Sequence, residues 1–159
     1  MKPIYVTIFV LGTLFTKAQT SLYNKLSSFL NTHTKEVLID QRLIAINVWT
    51  SGNKNSRDLN ADFEKAYKVY EFAKLKGGNK GIIVLNIDLD NNSVNGDITL
   101  KKDGISKIIT IPSDNIEILN ELKGKTSGYN IVFDSNGNMV YENLAAGTVY
   151  ESIHKLITR

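Results

Sequence analysis

Residues 43–57 constrain the chain more than any other stretch. Leu43 to Trp49 is an almost unbroken apolar run that closes on the chain's single tryptophan. A small polar turn follows, from Thr50 to Asn55, and then a long amphipathic segment. A short run apolar at nearly every position predicts a strand covered on both faces. Such a strand belongs to an α/β sheet whose functional surface lies at the strand's carboxyl end.

The remaining elements fit that frame. Ser21 to Asn31 places Leu22, Leu26, Phe29 and Leu30 at helical spacing, with Ser21 as N-cap. Glu36 to Asp40 reads as a short strand or extended segment. After the Thr50–Asn55 loop, Asn55 or Ser56 caps a helix reaching about Leu75. Its buried stripe is Leu59, Phe63, Ala66, Tyr67, Tyr70 and Ala73, widened by Phe72 and Leu75, and Gly77-Gly78 stops it. Gly81 to Asp88 is a second buried strand, so a right-handed β-α-β crossover is expected. Further on are a short helix from Asp97 to Lys102, a strand from Ile108 to Ile111, and a helix capped by Ser113 through Leu122. That last helix is expected to bury Ile116, Leu119 and Leu122. Tyr129–Asp134 and Met139–Glu142 form a hairpin around Asn136-Gly137. Val149 to Ile157 makes a final helix that buries Val149, Ile153, Leu156 and Ile157.

At 159 residues, with two prolines and no repeat, residues 19–159 are expected to form one domain. Met1 to Ala18 has a basic start at Lys2, an apolar stretch from Ile4 to Phe15, and Thr16-Lys17-Ala18 before Gln19, the pattern of a cleaved secretory signal. Its rivals are an anchor and a first strand; the apolar run falls short of the roughly 20 residues a span needs. Without Lys2 and Lys17 the net charge drops from +3 to about +1. The basic residues are scattered among acids, which argues against a nucleic-acid partner.

The strand–tryptophan–loop–helix stretch, the order of elements and the closing hairpin resemble the thioredoxin-like superfamily, especially envelope thioredoxins of the TlpA/ResA kind. The resemblance spans about Gln41 to Arg159. It implies a three-layer α/β/α sandwich with a mixed central sheet, and an exported, periplasmic or secreted, protein. Trp49 corresponds to the family tryptophan, and Asn47 to a polar residue two positions before it. Asp88 corresponds to the aspartate after the second central strand. Asn53 and Ser56 stand where the family has the cysteines of Cys-x-x-Cys, and Gly128 where it has a cis-proline.

The chain contains no cysteine. Thiol–disulfide exchange needs a thiolate and a resolving thiol, so that chemistry is excluded from composition alone. Asn53 is no nucleophile, and Ser56 would need a base that neither His33 nor His154 is placed to supply. The expected use is therefore binding of an envelope protein or peptide. The groove would be formed by Trp49, Thr50, Ser51, Gly52, Asn53, Lys54, Asn55, Ser56 and Arg57 facing Gly128 and Tyr129, with no cofactor or metal and no transmembrane segment in the mature chain. Two rivals stand beside it: a non-redox enzyme holding an anion at the helix start through Lys54 and Arg57, and a structural subunit of an envelope assembly. Asp88, Asp90, Asn91, Asn92 and Asp97 are spaced as a turn rather than an EF-hand.

Overall fold

The computed structural model describes residues 21–33, 41–90 and 93–157. The expected signal segment and the Glu36–Asp40 strand lie outside them. Ten elements follow in order: α1 (residues 21–33), β1 (Leu43–Trp49), α2 (Lys54–Tyr70), β2 (Ile82–Asp88), α3 (Ser93–Lys102), β3 (Ile109–Ile111), α4 (Ile116–Glu121), β4 (Asn130–Phe133), β5 (Met139–Glu142) and α5 (Val149–His154). No described helix is long and apolar enough to cross a membrane.

The strands form one mixed sheet in the order β3-β2-β1-β4-β5. β1 pairs in parallel with β2, from Leu43 opposite Ile82 to Trp49 opposite Asp88. β4 runs antiparallel to β1, and β5 antiparallel to β4. Because side chains alternate along a strand, the apolar runs supply two cores. Ile44, Ile46, Val48, Ile83, Leu85 and Ile87 face α1 and α4, where Leu26, Leu30, Ile118 and Leu122 meet them. Leu43, Ala45, Ile82 and Val84 face α2 and α5, against Leu59, Phe63, Ala66 and Ile153. The expected sandwich and hairpin are both present.

Several boundaries differ from expectation for tertiary reasons. α2 ends at Tyr70, not near Leu75, because Arg42 reaches across to donate to the Glu71 carbonyl at 2.8 Å. Phe72 then turns outward, 79% exposed, while Leu75 is buried beyond the helix in a bridge to Ile157. α3 starts at Ser93, ahead of Asp97. α4 is capped by Asn115, whose side chain accepts from the Ile118 amide, rather than by Ser113. This puts Ile116 in the first helical position, 68% exposed, and gives its expected burial to Ile118. α5 stops at His154, and Leu156 and Ile157 pack after it.

Candidate binding site at the carboxyl end of the sheet

β1 delivers Trp49 to the sheet end, and Thr50 to Asn53 turn the chain into α2. Asn53, not Asn55 or Ser56, is the N-cap: it has extended backbone, and its side-chain oxygen accepts from the Ser56 amide at 3.1 Å. The Ser56 hydroxyl donates to the Asn53 carbonyl at 3.0 Å and accepts from the Thr50 amide at 3.3 Å. Ser56 is fully buried, so its hydroxyl staples the turn and is out of reach of a substrate. His33 stacks on Phe29, and His154 pairs with the Tyr70 hydroxyl at 2.9 Å; neither contacts Ser56.

The facing segment does come to the loop. Gly128 donates to the Val48 carbonyl at 2.7 Å, and the Val48 amide donates to Tyr129 at 2.8 Å. Thr50 and Ser127 share a hydroxyl–hydroxyl contact of 3.1 Å. No cis peptide is present among the described residues, and Gly128 takes φ +99°, a conformation open to glycine. A Cβ there would lie 3.3 Å from the Asn55 side-chain nitrogen, so loop and segment are in close approach. Tyr129 is half-buried, with Lys125 over its ring at 4.1 Å and its hydroxyl donating to Glu142 at 3.0 Å. Burial and that carboxylate both push its phenol well above the ordinary range.

Two members of the expected groove are corrected. Trp49 and Ser56 are fully buried and cannot form its surface. The cations proposed for an anion are also engaged. Arg57 makes a two-pronged ion pair with Asp103 at 2.7 and 2.6 Å, which holds that carboxyl below its usual range. Lys54 pairs with Asp58 at 2.6 Å. Even the Ser51 amide is taken, donating to Asp90 at 2.9 Å. The anion-binding reading loses Arg57 and the Ser51 amide. What the loop presents to solvent is the polar edge formed by Thr50, Ser51, Gly52, Asn53, Lys54 and Asn55.

The sequence reading missed the residues beneath and beside the loop. Asn47, fully buried in β1, donates to the Ser56 carbonyl at 3.1 Å and to Asn60 at 2.7 Å. The signal was available: a buried amide in β1 requires a partner on the facing stripe of α2, and Asn60 adjoins Leu59 there. Asn86, opposite Asn47 in β2, has neither amide atom bonded, and the Trp49 indole N–H is also unpartnered. On the β2 side a small cleft of about 60 Å³ is lined by Trp49, Asp88, Asp90, Ser93, Asp97 and Pro112. Asp88 accepts from the Asp90 amide at 2.8 Å, and burial pushes its carboxyl up. Among the described residues, no group of three or more His, Cys, Asp or Glu could hold a metal ion.

No family model matches the sequence, and no curated protein does either. Solved structures do match. The thioredoxin domain of a thiol-disulfide oxidoreductase from Bacteroides vulgatus aligns with a TM-score of 0.61 at 14% identity, covering 76% of this chain and 82% of that one. A thiol:disulfide interchange protein from Bacteroides sp. gives 0.60 at 15% identity, covering 75% of each chain. A secreted disulfide oxidoreductase from Mycobacterium tuberculosis gives 0.56 at 6% identity, over 73% of this chain and 83% of that one. The fold is thioredoxin-like, and this chain carries it without a cysteine.

Proposed function

We propose that the chain is an exported binding module that uses a thioredoxin-like scaffold without thiol–disulfide chemistry. In this reading the surface of Thr50–Asn55 with Gly128 and Tyr129 holds a peptide or a partner protein. One observation carries it: loop, helix start and Gly128 segment are closely juxtaposed, while the Ser56 hydroxyl is buried in the turn and Arg57 is held by Asp103. A preorganised surface suits recognition, because little ordering remains to be paid on binding. Export is supported by the signal pattern of residues 1–18 and by a secreted protein among the fold's neighbours. N-terminal sequencing of the protein recovered outside the cytoplasm should begin at Gln19; an intact Met1 would contradict export by a cleaved signal.

The binding reading is tested by photo-crosslinking in the native cell. Gly52 is the suitable probe position, since it is exposed and a Cβ there meets nothing within 4 Å, whereas replacing Asn53 would remove the helix cap. A control probe replaces exposed Lys155. A defined partner captured from Gly52 alone supports the reading. Capture only from Lys155 would overturn it in favour of a structural subunit.

A further inference from the structure

The end of the sheet opposite the Thr50–Asn55 loop carries a basic hairpin. Lys74 and Lys80 are joined by an antiparallel bridge, and Lys76-Gly77-Gly78 turns the chain between them. Leu75 and Asn79 are buried, while Lys74, Lys76 and Lys80 are exposed. Side chains alternate along extended chain, so the two bridged lysines face outward together. Residues directly opposite in such a pair lie about 5 Å apart at Cα, and like charges placed there are destabilising. Gly77 and Gly78 take φ +74° and +84°, and a Cβ on Gly78 would meet nothing within 4 Å, so the turn projects.

Backbone hydrogen bonds fix what surrounds the hairpin. The Lys80 amide donates to the Gln41 carbonyl, and the Lys76 amide to the Leu156 carbonyl. The first bond brings in Arg42, whose guanidinium lies 5.8 Å from the centre of the Phe72 ring. Phe72, two residues before Lys74, is 79% exposed, the most of any large apolar side chain among the described residues. The second brings in Lys155, whose charge Glu151 offsets from one turn earlier on α5. Two further acids adjoin. Glu71 accepts from the Tyr67 hydroxyl at 2.6 Å. Asp134, next to the Ser135 amide that Asn79 accepts from, takes the amides of Asn136 and Asn138. Arg42 and the three hairpin lysines outnumber these two carboxylates, and neither Lys76 nor Lys80 has an ion-pair partner among the described residues. In sequence, the flanking Asp40 and Arg159 contribute one charge of each sign.

We infer that this pole of the molecule docks on an anionic membrane surface. The hairpin lysines meet lipid phosphates, and the Phe72 ring enters the boundary between headgroups and acyl chains. A projecting tip that joins lysines to a bare phenyl ring matches that boundary, where anions and hydrocarbon lie side by side. An acidic peptide would answer the charge alone. Each lysine near such a surface contributes about fivefold in affinity. β1 is seven residues long, so the Thr50–Asn55 loop stands about 20 Å from the docked pole and faces away from the membrane. The inference goes beyond the binding reading above and does not depend on it.

The test is flotation of the mature chain, from Gln19 on, with vesicles of equal parts phosphatidylglycerol and phosphatidylcholine, against vesicles of phosphatidylcholine alone. Binding is expected to the anionic vesicles only, and added salt should weaken it. Lys80→Glu should weaken binding by about fivefold or more, yet raise the thermal midpoint, because it sets a carboxylate opposite Lys74. A merely structural lysine would not lose binding and gain stability together. Lys101→Glu makes the same charge change on α3, next to the Asp103 that Arg57 holds near the start of α2, and should bind within about twofold of the parent. Phe72→Ser should weaken binding by about tenfold. Equal binding to both vesicles, indifference to Lys80→Glu, or an equal loss from Lys101→Glu would overturn the inference. So would inorganic phosphate shifting the Gly77 and Gly78 amides with the affinity of the vesicles, which would make the hairpin a small-anion site. Polyglutamate bound as tightly as the vesicles, and equally well by Phe72→Ser, would overturn it in favour of an acidic protein. Crosslinking from Gly52, at the other end of β1, decides the binding reading separately.

Discussion

Asn47 and Asn86 stand side by side in β1 and β2, at the same level and on the same face of the sheet. The Asn47 side-chain nitrogen is bonded into α2, through Ser56 and Asn60, although its oxygen and the Asn60 nitrogen have no hydrogen-bond partner, and the turn above it is held by the Ser56 hydroxyl. Asn86 has no bonded side-chain atom, and the α3 region beyond β2 keeps exposed aliphatic side chains and, among the described residues, carboxylates without an ion pair. One half of the sheet end is closed on itself. The other is left open.

The largest expected effect comes from cutting the closed half. Asn47→Leu strips the donor from both the Ser56 carbonyl and Asn60, and should cost about 3 kcal/mol in a denaturant titration. Asn53→Ala removes the α2 cap and should cost about 1 kcal/mol. Asn86→Leu is the discriminating twin: it replaces an amide that has no partner, so it should be neutral or stabilise by about 1 kcal/mol. If Asn86→Leu costs as much as Asn47→Leu, the two halves are not different in the way described.

The pH dependence sharpens the contrast through opposite signs. The hydrogen bond from Arg57 holds Asp103 below its unfolded pKa, so its contribution is present above the unfolded value and lost as pH falls through the folded one. Burial raises Asp88, so the folded state binds the proton more tightly and stability falls as pH rises from the unfolded value through the folded one. Asp88→Asn should therefore be more stable than the parent at neutral pH, with the gap closing in acid. Arg57→Ala should lose stability at neutral pH and converge with the parent in acid. Equilibrium unfolding at a series of pH values checks both.

The architecture was readable because its signals are local and strong. The Leu43–Trp49 and Gly81–Asp88 runs, the stripe of α2 and the Asn-Gly hairpin each carry their own periodicity or turn chemistry. The misplaced boundaries depend on contacts distant in sequence. Arg42 ends α2 from 29 residues away, and Asn115 and Ser113 are equally good caps until the Pro112 turn selects between them. The candidate site divided in the same way. The meeting of the loop with Gly128 followed from the family resemblance, but the engagement of Ser51 by Asp90 and of Arg57 by Asp103 has no local signature. Apolar periodicity also misassigned Phe72 and Ile116, because it marks which residues would gain from burial and not which of them find a cover.

Native-state hydrogen exchange tests the central contrast most directly. The amides of Ser56 and Arg57, both bonded to Asn53 within the closed half, should exchange only through global unfolding, while those of α3 should open locally at much lower free energy. An α3 as protected as α2 in the free protein, or a loop that exchanges as fast as α3, would contradict the account.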